Sequence, residues 1–169
     1  MALLAANKVL VEEKKVKDQL IQKGFGERDN SRLVLDLREA LFLLEKDKIE
    51  IEDSNGEKVS FEELLKQAEK REKNFYNKFI VFRDVRDRGY VIKTGFKFGF
   101  DFRVYPRGKK PGEEHTQWVI HVALHDERLS MPELSRIVRL SGNLKTKALI
   151  AVVDAENDIN YYSLERITP

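Results

Sequence analysis

Three residue types in the C-terminal half of the chain could together move protons and hold negative charge. Tyr105 closes an alternating stretch and is followed at once by Arg107, Lys109 and Lys110. Nearby cations favour a phenolate, the form a phenol must take to act as a general base. The same position also suits a half-buried strand tyrosine, the commoner role for this residue type. His115 follows Gly112-Glu113-Glu114 in a polar loop. Imidazole, with an unperturbed pKa of about 6.5, is well matched to proton transfer near neutrality, and flanking glutamates favour the protonated form that a general acid needs. In isolation the plainer reading is a surface loop histidine. Lys145 and Lys147 fall where a helix should end and a strand begin. A fixed ammonium there could stabilise a phosphorane-like transition state, or simply complement the dipole at the helix C-terminus. Tyrosine, histidine and lysine together would let an RNA 2′-hydroxyl attack its own phosphodiester: one group takes the proton, another protonates the departing 5′-oxygen and the cation holds the developing charge. That chemistry requires no cofactor.

Other chemistries find less support. His121 and His125 are four apart with Asp126 beside them, and on one strand they would face the same way. That spacing exceeds the usual distance between ligands on one face, and a zinc site needs three or four converging ligands, so both are assigned structural roles and no metal site is expected. A magnesium-dependent nuclease needs clustered carboxylates on adjacent strands, and Asp101 is the only convincing strand carboxylate. The absence of cysteine excludes thiol catalysis and disulfides. Lys and Arg number 31 against 29 Asp and Glu, a net charge of +2, so affinity for nucleic acid must come from local patches. With 36% charged residues and two Met in 169, the composition resembles that of proteins from hot environments. No apolar run reaches the roughly 18 residues of a membrane span, and the opening residues lack the pattern of a targeting leader. A cytoplasmic location is expected.

The elements that must position these residues fall into two halves. In residues 1–73 the pattern predicts a strand over 7–11, a helix over 16–23 stopped by Gly24, and a helix capped by Asp36 with Leu37, Ala40, Leu41 and Leu44 on one face. A strand around Ile49 and Ile51, a turn at Ser54-Asn55-Gly56, a return at Val59, and a helix opened by a Ser60/Glu63 capping box follow. The charged stretch over 69–73 is the expected boundary. Residues 74–169 open on a helix carrying Phe75, Phe79, Phe82 and Val85 and ending at Gly89. Next, Phe96, Phe98, Phe100, Phe102 and Val104 alternate with Lys97, Gly99, Asp101, Arg103 and Tyr105, predicting one long strand with Tyr105 on its polar face. A strand from Trp118, a helix opened by Ser130-Met131-Pro132-Glu133 with Leu134, Ile137, Val138, Ser141 and Leu144 inward, an apolar strand over 148–153, an acidic turn over 154–158 and a strand around 161–167 complete the reading. The fold class is α+β: a small N-terminal α/β domain, then a C-terminal mixed-sheet α/β domain containing a βαβ unit.

The run Arg83-Asp84-Val85-Arg86-Asp87-Arg88-Gly89-Tyr90-Val91-Ile92-Lys93-Thr94-Gly95-Phe96-Lys97-Phe98-Gly99-Phe100-Asp101-Phe102-Arg103-Val104-Tyr105 resembles the signature of the archaeal tRNA-intron endonuclease family. The resemblance continues through His115, residues 136–144, Ala151-Val152-Val153-Asp154 and Tyr161-Tyr162; the N-terminal half fits more loosely. It implies a restriction-endonuclease-like catalytic domain and cleavage of precursor tRNA at bulge-helix-bulge intron junctions, leaving 2′,3′-cyclic phosphate and 5′-hydroxyl ends. In the family pattern Tyr105 is the general base and His115 the general acid. Arg139 and Arg166 match the positions at which family members clamp a flipped bulge base. The turn with Asp154, Glu156 and Asp158 matches the loop inserted into a neighbouring subunit, which implies a tetramer, a homotetramer first and a two-plus-two heterotetramer next. The sequence departs from the pattern at the catalytic lysine, where an ungapped count lands on Thr146. Lys147, directly before the matching strand, is preferred over Lys145 for that role. The alternative reading is a non-catalytic, RNA-binding structural subunit of a mixed endonuclease.

Overall fold

The computed structural model of the chain describes residues 1–113 and 115–169. It divides into two compact units, Met1–Tyr76 and Asn77–Pro169.

In the first unit β1 (Ala2–Ala5) and β2 (Lys8–Val11) form a hairpin, followed by α1 (Lys14–Gln22), β3 (Glu27–Asp29), β4 (Arg32–Leu35), α2 (Leu37–Glu45), β5 (Ile51–Glu52) and α3 (Phe61–Arg71). The sheet order is β3-β4-β2-β1-β5, with β5 parallel to β1 and the other pairs antiparallel. Helix starts follow the sequence signals. Asp36 and Ser60 each accept from the amide three residues on, while Glu39 and Glu63 reach back to the cap amide, satisfying donors that would otherwise be orphaned. The return strand expected at Val59 is reduced to a single bridge between Glu52 and Lys58. The expected charged linker is helical up to Arg71, and its Glu72 is ion-paired with the buried Arg38.

The second unit contains most of α4 (Phe75–Asp87), then β6 (Val91–Thr94), β7 (Phe102–Tyr105), β8 (Trp118–Leu124), α5 (Met131–Asn143), β9 (Lys147–Val153) and β10 (Ile159–Leu164). Its sheet order is β10-β9-β8-β7-β6; β8 and β9 are parallel, joined by α5, and the remaining pairs are antiparallel. Phe79, Phe82, Phe102, Ile120 and Ile137 are fully buried. Tyr161 on β10 donates its hydroxyl to Asp84 at 2.6 Å, and burial first, then that bond, pushes its phenol well above the usual range.

The long strand expected over residues 96–105 is broken. Phe96–Phe98 form a single 3-10 turn, Gly99 sits in the left-handed region (φ 80°), and only Phe102–Tyr105 pair as a strand. Glycines force the break. A Cβ on Gly95 would lie 3.0 Å from the carbonyl carbon of Phe102, and one on Gly99 would meet the Leu140 side chain at 3.0 Å, so the chain folds closely on itself where a strand would continue. Phe96 is left exposed, while Phe98 packs on the cluster of Phe100, Val119, Ile137 and Ala148. The inward face of α5 is also shifted: Ile137 and Ser141 are buried, Leu140 packs on the same cluster, and Leu144 is exposed.

Candidate functional site

Topology gathers the chemistry at one end of the second sheet. Because β7 runs antiparallel to β8 and β9 runs parallel to it, the end of β7 and the starts of β8 and β9 lie side by side, with Val104 opposite Trp118 and Trp118 opposite Lys147. The loop before β8 carries His115, the turn before β9 carries Lys145, and Tyr105 closes β7.

A cavity of about 490 Å³ opens at this end, lined by Phe98, Arg103, His115, Thr116, Val119, Asn143, Leu144 and Lys145. His115 is exposed in it. Lys145 enters from a helix C-terminus closed by two backbone bonds, Lys145 N–H to the Gly142 carbonyl (3.1 Å) and Thr146 N–H to the Ser141 carbonyl (3.1 Å). Those bonds put Lys145 in the left-handed region (φ 53°), a place usually held by glycine. Lys147 is the first residue of β9 and is exposed, outside the lining of this cavity. Thr146, at the ungapped lysine position, instead donates its hydroxyl to the Thr116 carbonyl at 3.1 Å.

Tyr105 is only 5% exposed and is joined to the cavity by Arg103, whose Nη1 donates to the phenolic oxygen at 3.2 Å. Two of the three cations expected to serve Tyr105 from the following loop are engaged elsewhere, and the third, Lys109, is exposed. Arg107 lies over the Tyr90 ring at 4.9 Å, and Lys110 pairs with Glu113 at 3.6 Å. Arg103 was therefore missed as the partner of Tyr105, although residues two apart on a strand share a face. Glu113 also accepts from the Lys110 amide, and Glu114 lies outside the described residues.

A second cavity, of about 440 Å³, is lined by Leu134, Ser135, Val138, Arg139, Glu165 and Arg166. The structure thus brings together Arg139 on α5 and Arg166 just past β10. In the acidic turn Asp154 is turned inward, its Oδ1 accepting from the amides of Glu156 (2.8 Å) and Asp158 (3.0 Å), while Glu156 and Asp158 are exposed. The turn at Asp53 repeats this arrangement with Asn55 and Glu57.

His125 lies beyond the end of β8 and so does not share a strand with His121. His121 Nδ1 lies 3.9 Å from Asp101, whose other carboxylate oxygen pairs with Lys78 at 3.2 Å. Among the described residues no group of three or more His, Asp or Glu is arranged to hold a metal ion, and no helix is long and apolar enough to cross a membrane.

The architecture and its cavities define a two-domain α+β protein whose second sheet presents a histidine, a lysine and an arginine-bound tyrosine at one end. Residues 2–65 match the tRNA intron endonuclease N-terminal domain and residues 75–161 the tRNA intron endonuclease catalytic C-terminal domain. The chain is 39% identical over 163 residues to a tRNA-splicing endonuclease of Thermococcus onnurineus, covering 96% of this chain and 93% of that protein. It is 35% identical over 165 residues to that of Pyrococcus abyssi (97% and 94%) and 37% identical over 145 residues to that of Methanothermobacter thermautotrophicus (86% and 84%). The chain belongs to the tRNA intron endonuclease family.

Proposed function

We propose that the chain cleaves precursor tRNA at bulge-helix-bulge intron junctions by transesterification. The 2′-oxygen next to the scissile phosphate gives its proton to the phenolate oxygen of Tyr105 and bonds to phosphorus. The bond from phosphorus to the 5′-oxygen breaks as His115 supplies a proton to that oxygen. A 2′,3′-cyclic phosphate and a 5′-hydroxyl result, with no net proton consumed. The lysine role goes to Lys145, since its side chain lines the cavity that holds His115, where a fixed ammonium opposes the charge developing on the phosphoryl oxygens. The single observation behind this reading is that cavity at the shared end of β7, β8 and β9, which His115 and Lys145 line and to which Tyr105 is linked through Arg103.

Arg139 and Arg166 are proposed to stack on a flipped bulge base, a use suited to planar guanidinium groups. Glu156 and Asp158 are proposed to dock on a neighbouring subunit of a cytoplasmic tetramer. The chemistry proposed calls for no cofactor. The test is cleavage of an intron-containing precursor tRNA in excess EDTA by the wild type, Tyr105→Phe and His115→Ala, with the ends mapped. Cyclic-phosphate ends from the wild type and losses of about 100-fold or more in each variant are expected. A folded, RNA-binding wild type that does not cleave would point instead to a structural subunit.

A further inference from the structure

We propose that Arg103 is the positioning residue of the general base, holding the phenolic oxygen of Tyr105 in place and supplying the positive charge that its reactive phenolate needs. This rests on Tyr105 acting as the base.

Three contacts fix the guanidinium before any substrate arrives. Its Nε donates to the Thr94 carbonyl at 2.9 Å, its Nη1 donates to the Tyr105 oxygen at 3.2 Å, and its Cζ lies over the Phe98 ring, 5.2 Å from the centroid. Thr94 is the last residue of β6, where it pairs with Phe102, and Phe98 sits in the glycine-bounded turn that interrupts the alternating run. The broken strand thus has a use: the turn lays an aromatic face under a cation that a continuous strand would carry away from it. Arginine suits this place because its rigid fork can bond two oxygens while its face stacks on a ring.

The need for a charge follows from burial. Tyr105 is nearly inaccessible to water, and a buried phenolate is costly unless paired. Arg103 is bonded to that oxygen, while Arg107 and Lys110 have other partners. It also lines the cavity with His115 and Lys145, which puts the charge beside the reacting groups. In the proposed step the tyrosyl oxygen loses its charge as it receives the 2′-proton, and Arg103 remains a hydrogen-bond donor to it throughout.

The experiment measures precursor-tRNA affinity and the single-turnover cleavage rate of the wild type, Arg103→Gln, Arg103→Lys, Tyr105→Phe and the double variant Arg103→Gln with Tyr105→Phe. Arg103→Gln should lose about 10- to 100-fold in rate with binding unchanged, and should cost nothing further once Tyr105 is Phe, because it acts through that oxygen. Arg103→Lys, which keeps a cation but not the fork, should lose rate in the same way by less, and provides the test where the Gln variant does not fold. A loss of the same factor in the Tyr105→Phe background, a loss confined to binding, or wild-type rates in both Arg103 variants would overturn the proposal while leaving Tyr105 as the base. Wild-type cleavage by Tyr105→Phe would remove the base assignment itself, and this proposal with it.

Discussion

The hydroxyl of Thr146 donates to the carbonyl of Thr116 across 3.1 Å, joining the residue after Lys145 to the residue after His115. The bond ties the turn leading into β9 to the loop leading into β8, holding the proposed acid and cation at a fixed spacing. Thr146→Val keeps the shape and removes the donor. We expect a stability loss of about 1 kcal/mol and a cleavage loss of about 10- to 100-fold, with Thr146→Ser near wild type. Equal cleavage by the Val variant would make the bond structurally incidental.

Lys145 occupies a left-handed position that costs a side-chain-bearing residue about 1–2 kcal/mol. Lys145→Gly should therefore raise the melting midpoint by about 2–8 °C while cleavage falls, a trade of stability against activity. Lys147→Ala should leave cleavage within about threefold of wild type, because Lys147 is outside the cavity. Loss of activity in Lys147→Ala alone would reverse this assignment.

Arg139 and Arg166 share a cavity, and a base stacked there should contribute about 1–3 kcal/mol. Either Ala substitution should weaken binding of a bulged RNA by about 10- to 100-fold, and the double variant should lose less than the sum, since one guanidinium plane cannot clamp alone. Lysine substitutions should not restore binding, because an ammonium does not stack. Binding that follows charge alone would contradict a stacking clamp.

Glu63 and Glu133 are held below the ordinary glutamate value of 4.5, chiefly by the backbone amides of Ser60 and Ser130 and then by their hydroxyls. A carboxyl lowered on folding contributes stability that is present above its unfolded value and is lost as pH falls through its folded one. Helix α3 and helix α5 should thus weaken below about pH 4.5. Glutamine at both positions keeps the capping geometry without the titration, so thermal melts of Glu63→Gln with Glu133→Gln should depend less on pH in that window. An unchanged pH dependence would show that other carboxylates set it.

Much of this frame is legible in the sequence because its signals are local. The Ser60/Glu63 and Ser130/Glu133 boxes, the Asp36 cap and the apolar runs of β8 and β9 each report on neighbours a few residues away. The alternation over residues 96–105 misled because period two was counted through Gly99 and from just past Gly95, whose close approaches to Leu140 and Phe102 respectively are tertiary facts. The candidate site depends on long-range pairing. That Lys145 and His115 share a cavity follows from the register of Trp118 on Lys147, which no local pattern specifies. Arg103 and Tyr105 had a visible cue in sharing a strand face, but the run of cations after Tyr105 was the more conspicuous signal.

The most direct measurement replaces the ribose 5′ to each scissile phosphate of a precursor tRNA with its 2′-deoxy form and follows cleavage by the wild-type protein in EDTA. Attack by the substrate's own 2′-oxygen predicts that the modified RNA binds normally and is not cut, while its unmodified twin yields cyclic-phosphate ends. Cleavage of the deoxy substrate at a comparable rate would mean that water or another nucleophile attacks, and the roles given to Tyr105, His115 and Lys145 would fall together.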